Sequence, residues 1–227
     1  FFNIYIKLLL KKMLFDLAII GFGVIGVETL HGIKEVLKRK KSKRKLFIAV
    51  IEKDLNNVPG GIAYSKKKSK FGYFNNPLRL SHSDFIEWFK QKKNRNLIIN
   101  FSKNNKSYNL SSWLKNNEFL LNQNFKDYKE IYLPRLIYSF FLKDKIIDFL
   151  NFKEKLKIIL KFYQGELINL NKKDNYILLP KKSFVVKNIN YNQNKIEFKK
   201  NKSPSILKLN AKNVILGTGL VPPMKIK

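Results

Sequence analysis

A glycine pattern between two short apolar runs is the feature that most restricts what this chain can fold into. Residues 17–20 read Leu-Ala-Ile-Ile, residues 21–26 read Gly-Phe-Gly-Val-Ile-Gly, and residues 46–51 form a second apolar run. Runs of this length are typical of parallel strands that are buried on both faces. Apolar residues at helical spacing within 27–37 predict a helix between them. The order strand, helix, strand predicts a right-handed crossover unit of an α/β fold.

Each glycine has its own physical role in such a turn. Gly21 would permit the tight turn, Gly23 would let the backbone approach a diphosphate, and Gly26 would bring helix and strand close together. The helix start that follows offers backbone N–H groups and the positive end of the helix dipole, which favour anions. The predicted pyrophosphate-binding loop consists of Gly21, Phe22, Gly23, Val24, Ile25 and Gly26.

An acidic residue, Glu52, ends the second apolar run. Its carboxylate could accept hydrogen bonds from both hydroxyls of an adenosine ribose and would repel a 2′-phosphate, which favours FAD or NAD over NADP. It follows Gly26 by 26 residues, whereas about 20 are usual, and the basic run 38–45 accounts for the excess as a lengthened loop. The alternative is a glycine-rich turn with Glu52 merely solvated at a strand end.

The rest of the chain alternates helical and β-rich patterns. Residues 84–87 resemble a capping box that opens a short helix, and a longer helix is predicted over 134–152. The polar segment 91–109 is interpreted as an inserted loop. Short β-rich runs within 157–209 predict a β-meander, and the apolar run 213–216 predicts a final buried strand.

Six further landmarks follow the glycine loop in a fixed order. They are Glu52-Lys53, Gly60-Gly61-Ile62-Ala63-Tyr64-Ser65, Phe74-Asn75-Asn76-Pro77, Phe85-Ile86-Glu87-Trp88, Tyr132-Leu133-Pro134-Arg135 and Val214-Ile215-Leu216-Gly217-Thr218-Gly219. Together they resemble the FAD/NAD(P)-binding family, a bacterial flavoprotein group related in fold to flavin-dependent monooxygenases. The resemblance extends from Leu14 to Pro223, and Gly-Ile-Ala-Tyr followed by Asn-x-Pro is its most specific part.

The resemblance implies a Rossmann-like three-layer FAD/NAD(P)-binding fold, with a parallel sheet and a β-meander, and the function of an FAD-binding oxidoreductase domain. It implies that the glycine loop holds the FAD pyrophosphate and that Glu52, followed by Lys53, holds the ribose. Thr218 and Gly219 would approach the cofactor from the last strand, and Asn75 would lie near the flavin ring. NAD(P) is the implied reductant, and no catalytic residue can be assigned.

This sequence departs from the family pattern at two places. Gly217 stands where alanine is more usual, which we interpret as a minor change, and the family normally continues into a second half beyond Lys227. We therefore expect an FAD/NAD(P)-binding domain over 13–227 that is incomplete at its C-terminus. We also expect residues 1–12, ahead of Met13, to form an N-terminal extension. The alternative functions are an NAD- or FAD-binding module without catalysis and, after it, a basic nucleic-acid-binding protein.

Composition limits the other classes of function. Lys and Arg outnumber Asp and Glu by 46 to 16, for a net charge of +30, but the Lys- and Asn-rich background favours composition-wide drift over a nucleic-acid-binding face. Cysteine is absent, which excludes disulfides and thiolate metal sites, and two histidines disfavour a zinc site. Asp16 interrupts the N-terminal apolar segment, so we expect neither a signal peptide nor a membrane span, and a cytoplasmic location.

Overall fold

The computed structural model describes residues 14–41, 45–64, 72–104, 108–155, 158–165, 170–171, 176–178, 182–190, 195–200 and 208–219. The predicted extension over 1–12 lies outside these residues. The chain divides into two compact units. The first unit comprises the described residues within Phe1–Leu55, Ile146–Asn188 and Glu197–Lys227. The second unit comprises those within Asn56–Lys145 and Ile189–Ile196.

Helices dominate the middle of the chain, and strands lie mainly towards its two ends. In chain order the elements are β1 (Leu14–Ile20), α1 (Val24–Lys40), β2 (Leu46–Glu52), α2 (Gly61–Tyr64), α3 (Ser83–Lys90), α4 (Lys92–Asn104), α5 (Tyr108–Leu121), α6 (Phe125–Tyr128), α7 (Arg135–Lys155), β3 (Ile158–Gln164), β4 (Leu170–Asn171), β5 (Tyr176–Leu178), β6 (Lys182–Asn190), β7 (Lys195–Lys200) and β8 (Lys208–Leu216). Two short 3₁₀ helices, Leu55–Asn57 and Leu78–Leu80, complete the set within the described residues.

The strands form one sheet in the order β4-β5-β8-β1-β2-β3-β6-β7. Its four central strands, β8, β1, β2 and β3, are parallel and the sheet is flanked by helices. Strand β1 lies between β2 and the last strand, as in one half of a doubly wound dinucleotide-binding sheet. This topology confirms the predicted α/β, Rossmann-like fold with a parallel sheet.

Burial explains why the two apolar runs became central strands. Ala18, Ile19 and Ile20 of β1 and Ile48 to Ile51 of β2 are all buried, as expected of strands covered on both faces. Asp16 near the start of β1 is accommodated by hydrogen bonding, because its carboxylate accepts from the Phe47 N–H at 3.1 Å and from Lys212 Nζ at 2.8 Å. The polar residue in the apolar segment thus ties β1 to both of its neighbours.

The predicted β-meander is not confirmed. Strands do occupy much of the region, but β3 pairs with β6 while β5 pairs with β8, all in the same sheet as β1. The described strands therefore extend the two edges of the parallel sheet as two separate pairs, β4-β5 beside β8 and β6-β7 beside β3, rather than as one continuous meander. The physical reason is that strand-forming runs specify backbone conformation locally, whereas the partner of each strand depends on edges formed elsewhere in the chain.

The prediction of an inserted loop over 91–109 is wrong. Helix α4 occupies Lys92–Asn104, and buries Ile98 and Ile99 together with polar Asn94 and Arg95. These polar side chains are buried because they bind backbone carbonyls: Arg95 Nε donates to Leu121 O at 2.7 Å, and Asn94 Nδ2 donates to Trp88 O at 2.7 Å. A pattern that counts every polar residue as exposed misses a helix of this kind.

The capping box predicted at Asp84 and Glu87 is also wrong, although a helix does begin there. His82 is the N-cap of α3, and its Nδ1 accepts from the Asp84 N–H at 3.3 Å. The two acids serve other contacts, because Asp84 accepts from Lys145 at 3.3 Å and Glu87 pairs with Lys90 at 2.7 Å. The longer helix predicted over 134–152 is confirmed as α7, which begins directly after Pro134.

Candidate functional site

The turn between β1 and α1 contains the glycine pattern. Strand β1 ends at Ile20, and Gly21 follows with φ at +89°, in the left-handed region that favours glycine. Its N–H donates to Ile51 O on the neighbouring strand at 2.7 Å. Gly23 is the N-cap of α1, which begins at Val24. Residues 21–23 therefore form the turn, and the remaining residues of the pattern open the helix.

Gly26 lies where the first turn of α1 packs against the strand. A Cβ atom added there would lie 2.7 Å from Gly21 O and 2.8 Å from the Phe22 ring. Contacts this short would force the helix away from β1. The absence of a side chain at residue 26 therefore sets the close approach of the helix start to the turn.

The three larger residues of the loop point in different directions. The Phe22 side chain is fully buried and packs edge-on against Phe162, with ring centroids 5.5 Å apart. Val24 is partly buried, whereas Ile25 is half exposed. Phe22 can therefore contribute only its backbone to a ligand, while Ile25 presents an apolar side chain beside the turn.

Glu52, at the end of β2, binds the turn directly. Its Oε2 accepts from the Phe22 N–H at 2.7 Å, and its Oε1 accepts from the Asp54 N–H at 3.0 Å. The carboxylate is thus fixed beside the glycine loop rather than merely solvated at the strand end. An ionised carboxylate has about four acceptor positions, so two hydroxyl donors can still be accommodated. Lys53, the next residue, is exposed.

The end of β8 meets the same turn from the other side. The Gly217 N–H donates to Ile20 O at 2.7 Å, and a Cβ added at Gly217 would lie 3.2 Å from Ile25 and 3.3 Å from Gly21 O. Gly217 is buried, whereas Thr218 and Gly219 are exposed and Gly219 has φ at +70°. An alanine at 217 would therefore require its neighbours to shift by a few tenths of an ångström, and the interpretation of Gly217 as a minor change stays a prediction.

The sheet order places these groups at one crevice. From β1 the chain adds β2 and β3 on one side and returns to β8 on the other, so β1 and β8 flank a topological switch point. In open α/β sheets, ligands bind outside the carboxyl ends of the strands at such a point. The Gly21 turn, Glu52 and residues 217–219 all lie at carboxyl ends of parallel strands.

The start of α1 is suited to an anion. Gly23 provides no side-chain cap, and the first turn of the helix contains no acidic residue. The N–H groups of a first helical turn have no partner within the helix, and the helix dipole adds a partial positive charge there. Two phosphates could therefore bind to backbone groups without displacing a capping side chain.

Asn75 belongs to the second unit, unlike the other predicted site residues. It is exposed, and its Oδ1 accepts from Arg135 Nη2 at 3.3 Å. The structure therefore brings Gly21 to Gly26, Glu52 and residues 217–219 together within the first unit, and gives Asn75 a neighbour that the sequence did not suggest. Asn75 and Arg135 are 60 residues apart in the chain, so no local sequence pattern could have predicted their contact.

Two classes of site have no basis in the described part of the chain. No group of three or more His, Asp or Glu side chains there could hold a metal ion. None of the helices described there combines the length and apolar character that a bilayer crossing requires.

No protein-family model, curated protein or solved structure matches this chain. The resemblance to the FAD/NAD(P)-binding family therefore stays a prediction that rests on the motifs.

Proposed function

We propose that this chain binds the adenosine diphosphate half of a dinucleotide, FAD, at the turn between β1 and α1. The observation that carries the proposal is the 2.7 Å hydrogen bond from the Phe22 N–H to Glu52. It makes the turn and the carboxylate one preorganised unit, with phosphate-binding amides on one side and a ribose acceptor on the other. A ligand that needs both groups at once is a nucleotide with a diphosphate and a free ribose.

Each part of the crevice has a defined task in this proposal. The first N–H groups of α1 bind the pyrophosphate, and Glu52 accepts from the ribose hydroxyls. Gly21 and Gly217 keep side chains out of the crevice, and Thr218 and Gly219 border it from β8. The negative charge of Glu52 disfavours the 2′-phosphate of NADP.

The motif resemblance favours FAD over NAD, and with it an oxidoreductase. Bound flavin would supply the hydride chemistry, with NAD(P) as the reductant, while the chain binds and orients the cofactor. A module that binds FAD or NAD without catalysis uses the same crevice and differs only in turnover. The two are separated by asking whether bound flavin is reduced when NADH or NADPH is added without oxygen.

The binding proposal is tested by titrating the purified chain with FAD, NAD and NADP in a calorimeter. We expect FAD to bind most tightly and NADP most weakly. Glu52→Gln removes the charge but keeps an amide that can still contact the turn, so it should weaken FAD binding by about tenfold or more and reduce the discrimination against NADP. The matched control is Glu35→Gln, which removes another partly buried carboxylate from α1.

Two results would contradict the proposal. The first is a folded wild-type chain that binds neither FAD nor NAD. The second is equal FAD affinity in the Glu52→Gln and Glu35→Gln variants, because the carboxylate at the turn would then play no part in binding. If FAD binds but is not reduced by either nicotinamide, the non-catalytic module replaces the oxidoreductase.

A further inference from the structure

The second unit contains an open pocket of about 350 Å³ that the dinucleotide proposal does not use. One wall of the pocket is aromatic. Tyr64, Phe74 and Tyr138 are mutually in contact, with ring centroids between 4.9 and 5.9 Å apart. The rings are inclined to one another by 37 to 77°, so the wall offers apolar ring faces and edges against which an aromatic ligand can pack. The volume is within the range of small-molecule sites, which begins at about 300 Å³.

A fixed guanidinium also lines this pocket. Arg135 donates from Nε to Tyr73 O at 2.9 Å and from Nη2 to Asn75 Oδ1 at 3.3 Å, and these bonds set its orientation. Within the described residues Arg135 has no ion pair with a carboxylate. Its other N–H groups are therefore available to a ligand, and their fork geometry matches a carboxylate.

Two other polar side chains of the lining, His82 and Asn75, can donate hydrogen bonds to a ligand. His82 accepts the Asp84 N–H at Nδ1, which leaves Nε2 to carry the proton. The oxygen of Asn75 is engaged by Arg135, so its NH₂ group is the part that can bind a ligand. Among the described residues that line the pocket there is no Asp or Glu. An acceptor-rich, negatively charged group is thus the complement of this side of the pocket.

We propose that this pocket binds a small aromatic carboxylate. Its carboxylate pairs with Arg135 and accepts from His82 or Asn75, and its ring packs on the wall formed by Tyr64, Phe74 and Tyr138. The site is built entirely from the second unit and requires no residue of the glycine loop. It therefore goes beyond the proposed function and is tested independently of it.

The first test uses the wild-type chain and two ligands of nearly equal shape. Indole-3-acetate and the neutral indole-3-acetamide are titrated by calorimetry, because they differ in charge but not in ring. We expect the acid to bind about tenfold or more tightly than the amide, since a charge-assisted hydrogen bond is worth about that factor. Acetate alone, which has no ring, should bind far more weakly. Equal binding of acid and amide, or no binding of either, would overturn the proposal.

The second test locates the charge within the pocket. Arg135→Gln should abolish the preference for the acid over the amide. The matched control is Arg79→Gln, because Arg79 is an exposed arginine of the same unit that pairs with Glu130 at 2.8 Å and does not line the pocket. The control should keep the wild-type preference. An Arg135→Gln variant that folds and still prefers the acid would refute the assignment.

Two further comparisons distinguish a failure of this proposal from a variant that does not fold and from a failure of the dinucleotide proposal. If Arg135→Gln does not fold, the comparison of acid and amide on the wild-type chain decides the matter without it. The Glu52→Gln variant should bind indole-3-acetate as the wild type does, whatever happens to its FAD affinity. A folded wild-type chain that binds indole-3-acetate but neither FAD nor NAD would contradict only the dinucleotide proposal, and one that binds FAD but not indole-3-acetate would contradict only this one.

Discussion

The two units present different atoms to their candidate ligands. In the first unit, the crevice is formed mainly by backbone, with Gly21 and Gly217 excluding side chains and the start of α1 offering N–H groups. In the second unit, the pocket is lined by side chains, among them Arg135 and the three rings of the aromatic wall. A backbone site tolerates changes of side chain that leave the fold intact, whereas a side-chain site is altered by single substitutions.

The interiors of the two units also differ in the kinds of residue that they bury. The buried cluster of the central sheet consists of aliphatic and aromatic residues, including Phe15, Ile20 and Ile51. Most of the buried polar and charged residues in the described part of the chain belong to the second unit, among them Arg95 and Lys143, although the first unit buries Lys34. The first unit should therefore be most sensitive to added volume at its glycines, and the second to the charge and hydrogen bonding of buried side chains.

The largest effect is expected from Gly21→Ala. A side chain at φ +89° is strained, and its Cβ would lie 2.4 Å from Gly217 O. Strain and overpacking together should lower the free energy of unfolding by about 2 to 5 kcal/mol and abolish FAD binding. Urea denaturation and calorimetric titration measure the two effects.

Gly32→Ala is the matched control within α1. Nothing lies within 4 Å of a Cβ at Gly32, so alanine should instead stabilise the helix by about 1 kcal/mol and leave FAD binding unchanged. If Gly21→Ala proved as harmless as Gly32→Ala, the crevice would not depend on backbone shape and the contrast between the units would fail.

Lys143→Met in the second unit should raise the free energy of unfolding, whereas Gly21→Ala should lower it. The Lys143 side chain is fully buried, and burial lowers its pKa to about 8, although Asp144 acts in the other direction. Keeping this ammonium buried at pH 7 costs up to about 3 kcal/mol. Methionine has a similar shape and no charge, so the variant should raise the free energy of unfolding at pH 7 by about 1 to 3 kcal/mol.

The pH dependence of the stability difference between Lys143→Met and wild type provides a second test. The pKa of Lys143 in the folded chain is lower than the value of about 10.4 in the unfolded chain. Between about pH 8 and pH 10 the unfolded chain therefore binds more protons, and wild-type stability should rise with pH. The gap between Lys143→Met and wild type should narrow from pH 7 to pH 9.5, as followed by urea denaturation. The exposed Lys115→Met variant should show no such narrowing, and a constant gap for Lys143→Met would contradict the argument.

The smallest effect distinguishes two buried tyrosines, one in each unit. The Tyr128 hydroxyl of the second unit accepts from Arg95 Nη1 at 3.1 Å, so Tyr128→Phe should cost about 1 kcal/mol. The Tyr163 hydroxyl of the first unit is buried and has no hydrogen-bond partner among the described residues, and burial raises its pKa to about 12. Tyr163→Phe should therefore be neutral or stabilise by up to about 1 kcal/mol. Denaturation midpoints at pH 7 that shift equally in the same direction would remove this distinction.

Sequence patterns predicted β1, α1 and β2 of the first unit well, because the signals for these elements are local. An apolar run, a glycine that allows positive φ and a helical spacing each depend on a few adjacent residues, and β1, α1 and β2 follow from them. The same reasoning failed at 91–109, where α4 buries the polar Arg95 through a hydrogen bond to the carbonyl of Leu121, 26 residues away. It also failed to order the later strands, since pairing joins segments that are far apart in the chain.

The sequence by itself determined the turn, the first helix, the acid at the end of β2 and the parallel strands that these features require. Only the tertiary structure decided that Glu52 binds the Phe22 amide, that β8 brings Gly217 against the turn, and that Arg135 meets Asn75 beside an aromatic wall. The physical reason is range. Backbone conformation is chosen by neighbouring residues, whereas a crevice or a pocket is made by groups that folding brings together.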